Sequence, residues 1–425
     1  METHIDRALI IRNLHHSFHF LSLLNMRFQK IAPFALAAAV ASAQNTTEGG
    51  NLTTGGNITS STNGTVPLAN QQLNSFWTLL QQFGLLGSFS NMRNITLLAP
   101  SNEALARLNT SGVTITSEYV QALIEYHTLN GTILASDLNN VTSAFPHTHL
   151  TNPAYSNVTG GQVVEAVLVN KTAYFFSGLK NNVSATTTNL NFTGGVIHIV
   201  DGTLTIPGNL SSTLTNSNLT ALSGAAQQLN LTSTLSSLRD VTIFAPNNEA
   251  FQAVGDALAN ASMSELTSVL GYHVVNNSVL YSSDIMNGTT QVPTFIGRNL
   301  TLQNINGSLY VNSAKVVTPD VLFSGGVIQV IDEVLNPNNT LAHNASMTAS
   351  GSKSSTSQAF AGVTTRASNV PFTSGQATPT TSNAAQKSAT TGALSSSTGA
   401  ANAFATGAIG AAALFGGIGA AFAAF

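Results

Sequence analysis

The sequence predicts an α+β fold built twice in tandem. Three observations carry that expectation: landmarks that recur at a fixed offset, helix-period apolar spacing early in each copy, and strand-like alternation late in each copy. Thr96-Leu-Leu-Ala-Pro-Ser-Asn-Glu-Ala-Leu105 recurs as Thr242-Ile-Phe-Ala-Pro-Asn-Asn-Glu-Ala-Phe251, an offset of 146. Leu123-Ile-Glu-Tyr-His127 recurs as Val269-Leu-Gly-Tyr-His273 at the same offset of 146. Gly194-Gly-Val-Ile-His-Ile-Val-Asp201 recurs as Gly325-Gly-Val-Ile-Gln-Val-Ile-Asp332 after 131, so the second copy is 15 residues shorter between these landmarks. The order is kept throughout, which places two homologous domains at 66–207 and 208–337.

Each element has a local reason. Ile95 to Leu98 and Val241 to Phe244 are short apolar runs ended by Ala-Pro, hence buried strands closed by proline. The Asn-Glu-Ala that follows each run is a helix start, with Asn capping and Glu103 or Glu249 facing the positive end of the dipole. Ser262-Met-Ser-Glu265 reads as a capping box for the next helix. On that helix Leu266, Val269, Leu270 and His273 share one face, as do Val120, Leu123, Ile124 and His127 in the first copy. Gln162 to Val169, Thr172 to Phe176 and Leu300 to Leu302 alternate as strands do. Gly194-Gly195 and Gly325-Gly326 precede the last apolar strand of each copy and fit a turn or bulge.

Composition narrows the function. Charged residues are only 7% of the chain, against roughly 25% in ordinary soluble proteins. The net charge is −3 and no basic block occurs, which argues against a protein that tracks nucleic-acid phosphates. Cysteine is absent, excluding disulfides, thiolate metal sites, iron–sulfur clusters and a cysteine nucleophile. Sugar takes the place of charge. Asn-x-Ser/Thr triplets recur from Asn45, Asn51, Asn57 and Asn63 to Asn338 and Asn344. The candidates within the two domains include Asn94, Asn130, Asn140, Asn157, Asn170, Asn182, Asn191, Asn230, Asn276, Asn287, Asn299 and Asn306. Asn109, Asn209, Asn218 and Asn260 complete the set.

The two ends read as targeting segments. Residues 1–43 form a leader: a basic Met26-Arg-Phe-Gln-Lys30, an apolar run Ile31 to Val40 and Ala41-Ser42-Ala43 make a signal peptide cut before Gln44. Met26 is a candidate true start, a longer leader being the alternative. Residues 44–65 are a glycosylated linker. Residues 338–402 lead away from the second domain as a disordered, Ser/Thr-rich, O-glycosylated stalk. At about 3.1 Å per residue, its part from 345 to 402 reaches about 180 Å. Residues 403–425 are Ala, Gly, Ile, Leu and Phe preceded by small residues, matching a GPI-attachment signal with Gly399 or Asn402 as the attachment residue. A true membrane span is the alternative, and it lacks a basic anchor.

The duplicated motifs resemble the fasciclin domain family. The Ala-Pro-x-Asn-x-Ala block looks like its first box, the Tyr-His pair like its central motif, and Gly-Gly-Val-Ile-x-x-x-Asp like its second box. The layout of signal, two such domains, Ser/Thr stalk and GPI signal is similar to fungal fasciclin-like cell-surface proteins. The resemblance implies a wedge-shaped β-sheet arrangement with flanking helices. It also implies a non-catalytic adhesion glycoprotein at the cell surface, anchored to the membrane through GPI or held in the cell wall, with no cofactor. Its partners would be cell-surface or extracellular-matrix proteins, wall polysaccharide, or a second copy. A structural wall or coat glycoprotein without specific recognition is the alternative, and vacuolar delivery stays open.

Candidate site residues can be weighed on the same basis. By resemblance to animal relatives, Tyr126, His127, Tyr272 and His273 are adhesion candidates; on the apolar helix face they read better as core. Asn130 and Asn276 lie three residues past each histidine, and glycans there would obstruct a partner docking flat on that corner. His147 and His149 form an H-x-H with no third ligand nearby and read as a mobile surface loop. Asp201, Asp332 and Glu333 end the last strands and suit turns or caps better than acid–base chemistry. Trp77, beside Phe76, reads as core. No G-x-S-x-G elbow or phosphate-binding loop occurs.

Overall fold

The structure, a computed structural model, describes residues 70–109, 115–286 and 288–343, together with Phe360, Val363 and residues 366–377. The leader, the linker, the GPI signal with Gly399 and Asn402, and Asn287 lie outside the described residues.

In the first domain helices come first: α1 (Asn74–Gln82) and α2 (Leu86–Asn91), then strand β1 (Ile95–Pro100), α3 (Asn102–Asn109) and α4 (Ser117–Tyr126). Strands then follow: β2 (Thr128–Asn130), β3 (Glu165–Val169), β4 (Thr172–Phe176), β5 (Asn182–Phe192) and β6 (Gly195–Val200). They form one six-stranded sheet in the order β2-β1-β6-β5-β4-β3. The second domain repeats the plan with α5 (Leu210–Asn216), α6 (Thr220–Gln228), α7 (Thr232–Ser237), β7 (Val241–Pro246), α8 (Asn248–Ala253), α9 (Gly255–Ala259), α10 (Met263–Tyr272) and β8 (Val274–Val275). After α11 (Ser282–Ile285) come β9 (Thr289–Pro293), β10 (Asn299–Ile305), β11 (Ser308–Val311), β12 (Ala314–Phe323) and β13 (Gly326–Ile331). Its seven-stranded sheet runs β8-β7-β13-β12-β11-β10-β9. The α+β class and the duplication therefore stand.

One strand in from an edge of each sheet the first strand pairs in parallel with the last, Ile95 opposite Gly195 and Val241 opposite Gly326. A parallel pair needs a long crossover, and here nearly the whole domain supplies it. Every residue of β1 and β7 is buried, which explains the unbroken apolar runs. Gly195 and Gly326 open the last strands at φ +148° and +151°. A Cβ on either would lie 1.9 or 2.0 Å from the carbonyl oxygen of Ile95 or Val241. Gly194 and Gly325 thus lie in the expected turns, and Gly195 and Gly326 are sites of close backbone approach. The register shifts lie instead on the partner strands, between Ala185 and Leu190 and between Val316 and Val321.

The capping prediction needs a correction. Ser101 and Asn247 cap α3 and α8, accepting from the N–H groups of Ala104 and Ala250. Asn102 and Asn248 reach sideways and accept from Ser75 and Ala221 in the first turns of α1 and α6. The motif asparagine therefore ties two helices together, something one-dimensional spacing cannot reveal. Ser262 and Glu265 do form the expected capping box.

On β7 alternate residues serve opposite faces. Ile243 joins Phe251, Leu222 and Leu270 beneath the helices, whereas Phe244 joins Tyr272, Leu300 and Val311 on the other side. Both domains belong to a single compact unit. The seam between them comes largely from the segment joining β2 to β3, which holds most of the first copy's extra length. Phe145 stacks on Tyr281 at 4.2 Å, and Val163 packs with Leu322 and Val327. Asn157 N–H donates to the Ser324 carbonyl at 2.6 Å, and Gln162 donates to the Phe323 carbonyl at 3.0 Å. Asp240 accepts from both the N–H and the hydroxyl of Thr159 at 2.7 and 2.6 Å. The stretch from Phe145 to His149, expected as a mobile surface loop, is instead pinned by bridges of His147 to Val163 and of Thr148 to Leu129.

Three apolar residues of the expected stalk lie against the second domain. Phe360, Val370 and Phe372 pack against the helical side of the second domain. The Ser/Thr-rich composition around them hides this short apolar stretch.

Candidate functional site

The tyrosine–histidine pairs occupy the same place in both domains, at the C-terminal end of α4 and of α10. Tyr126 and Tyr272 are fully buried, and His127 and His273 nearly so. Leu204 N–H donates to His127 Nε2 at 3.0 Å, and Leu335 N–H donates to His273 Nε2 at 2.9 Å. An accepting Nε2 leaves the proton on Nδ1, which donates to the carbonyl four residues back, Leu123 or Val269, at 2.7 Å. Each neutral ring therefore joins its helix to the segment leaving the last strand. Burial pulls both histidines down to about 4, against the smaller opposing pull of the carbonyl bond. The tyrosine hydroxyls donate to the carbonyls of Val163 and Asn299. None of these four side chains presents a surface to a partner.

The acidic candidates are also committed locally. Asp201 accepts from the N–H and hydroxyl of Ser184, and Asp332 accepts from the N–H of Lys315, 131 residues on in both cases. They staple the last long hairpin. Glu333 accepts from the Ser313 hydroxyl. His147 holds the Gly161 carbonyl at 2.8 Å. Near the seam Glu165 is buried with Lys180 at 2.5 Å and the Ser143 hydroxyl at 2.9 Å. Burial pushes the Glu165 carboxyl up, Lys180 pulls it back, and Asp320 adds to the rise. Trp77 is buried edge-on to Phe76 at 5.3 Å. Among the described residues no cluster of three or more metal-ligating side chains occurs, and no helix is long and apolar enough to cross a membrane.

The outward-facing features are the sequons. Asn94, Asn130, Asn140, Asn170, Asn182, Asn191, Asn230, Asn299 and Asn306 are all exposed. Only Asn157 and Asn276 are half-buried among the candidates whose side chains are described. Asn94, Asn170, Asn218, Asn230 and Asn306 have positive φ, between 48° and 58°. Asparagine tolerates that left-handed conformation, so these turns select the residue that a glycan also needs. The expected shield past each histidine is unequal: Asn130 is exposed, whereas Asn276 has its side-chain oxygen enclosed.

Sequence reasoning missed the seam and the tie made by Asn102 and Asn248. The 15-residue difference between copies was the available signal for the seam. Comparison with known proteins fits this architecture. The fasciclin domain model matches residues 71–207 and 217–337. A fasciclin-like arabinogalactan protein of Arthroderma benhamiae is 35% identical over 256 residues, 59% of this chain and 60% of that protein. Another of that name, from Phaeosphaeria nodorum, is 31% identical over 267 residues, 62% of this chain and 84% of that protein. The solved FAS1 domain pair of the insect cell adhesion molecule fasciclin I covers 63% of this chain and 97% of its own, at 18% identity and a TM-score of 0.31. With both repeats matched almost from end to end, the chain belongs to the fasciclin domain family.

Proposed function

We propose that the chain is a non-catalytic cell-surface glycoprotein that binds through the glycan-bearing exterior of two joined fasciclin heads. The observation that carries this reading is the outward placement of its sequons while the motif tyrosines and histidines stay buried. The names of the two fungal relatives, arabinogalactan proteins, support a carbohydrate-bearing product. Two weak heads on one tether gain effective concentration, so neither needs a strong site. The leader and the GPI signal would place the heads outside the cell, on the membrane or in the wall. Partners of this kind are surface or matrix proteins, wall polysaccharide, or a second copy.

Beads coated with the full chain from a glycosylating host test the proposal. Clumping, or capture of wall polysaccharide or matrix protein, is the expected result. Loss of it after enzymatic N-glycan removal assigns the contact to sugar, and persistence assigns it to protein faces. Neither clumping nor capture overturns recognition and favours a coat component, which the density of sequons would also suit.

A further inference from the structure

Beyond the family motifs, the second domain carries an apolar groove that its first-domain counterpart lacks the means to fill. The groove lies between α6, α8 and α10, lined by Ala225, Leu229, Phe251, Leu266 and Leu270. Phe372 enters it edge-on to Phe251, centroids 6.1 Å apart. The backbone is held too: Ala367 N–H donates to the Gln252 carbonyl at 3.0 Å, and the Gln252 side chain donates back to the Ala367 carbonyl at 3.1 Å. Arg366 donates to Gln252 Oε1 at 3.0 Å, and Gln376 donates to Gln227 Oε1 at 2.8 Å.

Two glycines make room for this segment. Gly224 sits inside α6, where glycine is less favourable than alanine. A Cβ there would lie 1.7 Å from the Phe372 carbonyl oxygen, and one on Gly255 would lie 2.5 Å from the Ala367 methyl carbon. At the repeat offset of 146, Gly224 corresponds to Thr78, Gln252 to Ala106 and Phe251 to Leu105. The first domain thus has a side chain where the segment's backbone would pass. It also lacks the amide that would hold the backbone and the ring that would meet Phe372.

We propose that this groove is a peptide-docking site whose occupant is residues 366–377 of the same chain. It holds a turn-rich segment through an aromatic anchor at Phe372 and a two-way backbone clasp at Ala367. On the tethered reading of the proposed function, docking would leave residues 378–402 between the groove and the anchor, about 80 Å at about 3.1 Å per residue, in place of about 180 Å.

Amide hydrogen exchange on the full chain tests the docking without reference to anchoring or adhesion, so its failure leaves the surface-binding reading separately testable. Gly224→Thr installs the residue that the first domain carries at this position and blocks the segment without opening the core. The Ala367 amide is expected to be protected in the unaltered chain and to exchange about tenfold faster or more in the variant, while the amides of β7 and β13 keep their rates. An Ala367 amide exchanging freely in the unaltered chain would overturn the proposal, as would protection that survives Gly224→Thr.

Discussion

Holding a histidine neutral in the core links stability to pH. Folded His127 and His273 titrate at about 4, whereas an unfolded histidine titrates at about 6.5. Between those values the unfolded chain binds more protons, so stability is complete above pH 6.5 and falls as pH drops toward 4. From pH 7 to pH 5 the loss is about 2 kcal/mol per histidine, readable as a falling denaturant midpoint. His273→Met removes one titration and leaves the Leu335 N–H and the Val269 carbonyl unpaired, costing about 2 kcal/mol or more at pH 7. The same variant should lessen the pH slope, with His127 and the other lowered histidines, His149 and His198, carrying the remainder. A midpoint independent of pH between 7 and 5 would contradict the neutral, buried assignment. The i, i+3, i+4, i+7 spacing placed these rings on an apolar face in the sequence. Their partners Leu204 and Leu335, 77 and 62 residues away, were out of reach of any local pattern.

At the scale of elements, the parallel pairing of the first and last strands is the most constrained feature. Gly195→Ala or Gly326→Ala would drive a methyl into a strand carbonyl from a positive-φ position, costing about 3 kcal/mol or more. Such variants should lower the melting midpoint steeply or fail to fold; a midpoint near that of the unaltered chain would refute the close approach. Asn248→Ala should cost about 1 kcal/mol by freeing the start of α6, an effect similar to that of Asn247→Ala at α8. The strands β1 and β7 were legible as unbroken apolar runs, and β4 and the helices α4 and α10 by an uninterrupted period. The cross-helix tie of Asn102 and Asn248 was not, because an asparagine beside a helix start looks like a cap in one dimension.

For the whole molecule, the seam decides whether the heads act as one body. Phe145 and Tyr281 form its aromatic contact, flanked by the bonds of Thr159 to Asp240 and of Gln162 to Phe323. Tyr281→Ala should split a single calorimetric transition into two, one per domain. Tyr281→Phe, which removes a hydroxyl with no hydrogen-bond partner among the described residues, should keep one transition at an equal or higher temperature. The duplication was plain in the sequence, yet how the copies meet depends on the longer β2–β3 segment, whose use only the three-dimensional arrangement discloses. Glycopeptide mass spectrometry on the full secreted chain tests most directly whether a sugar-bearing exterior surrounds a structural core. Glycans are expected at the exposed sequons, Asn94, Asn130, Asn182 and Asn299 among them, and bare asparagines throughout both domains would contradict the account.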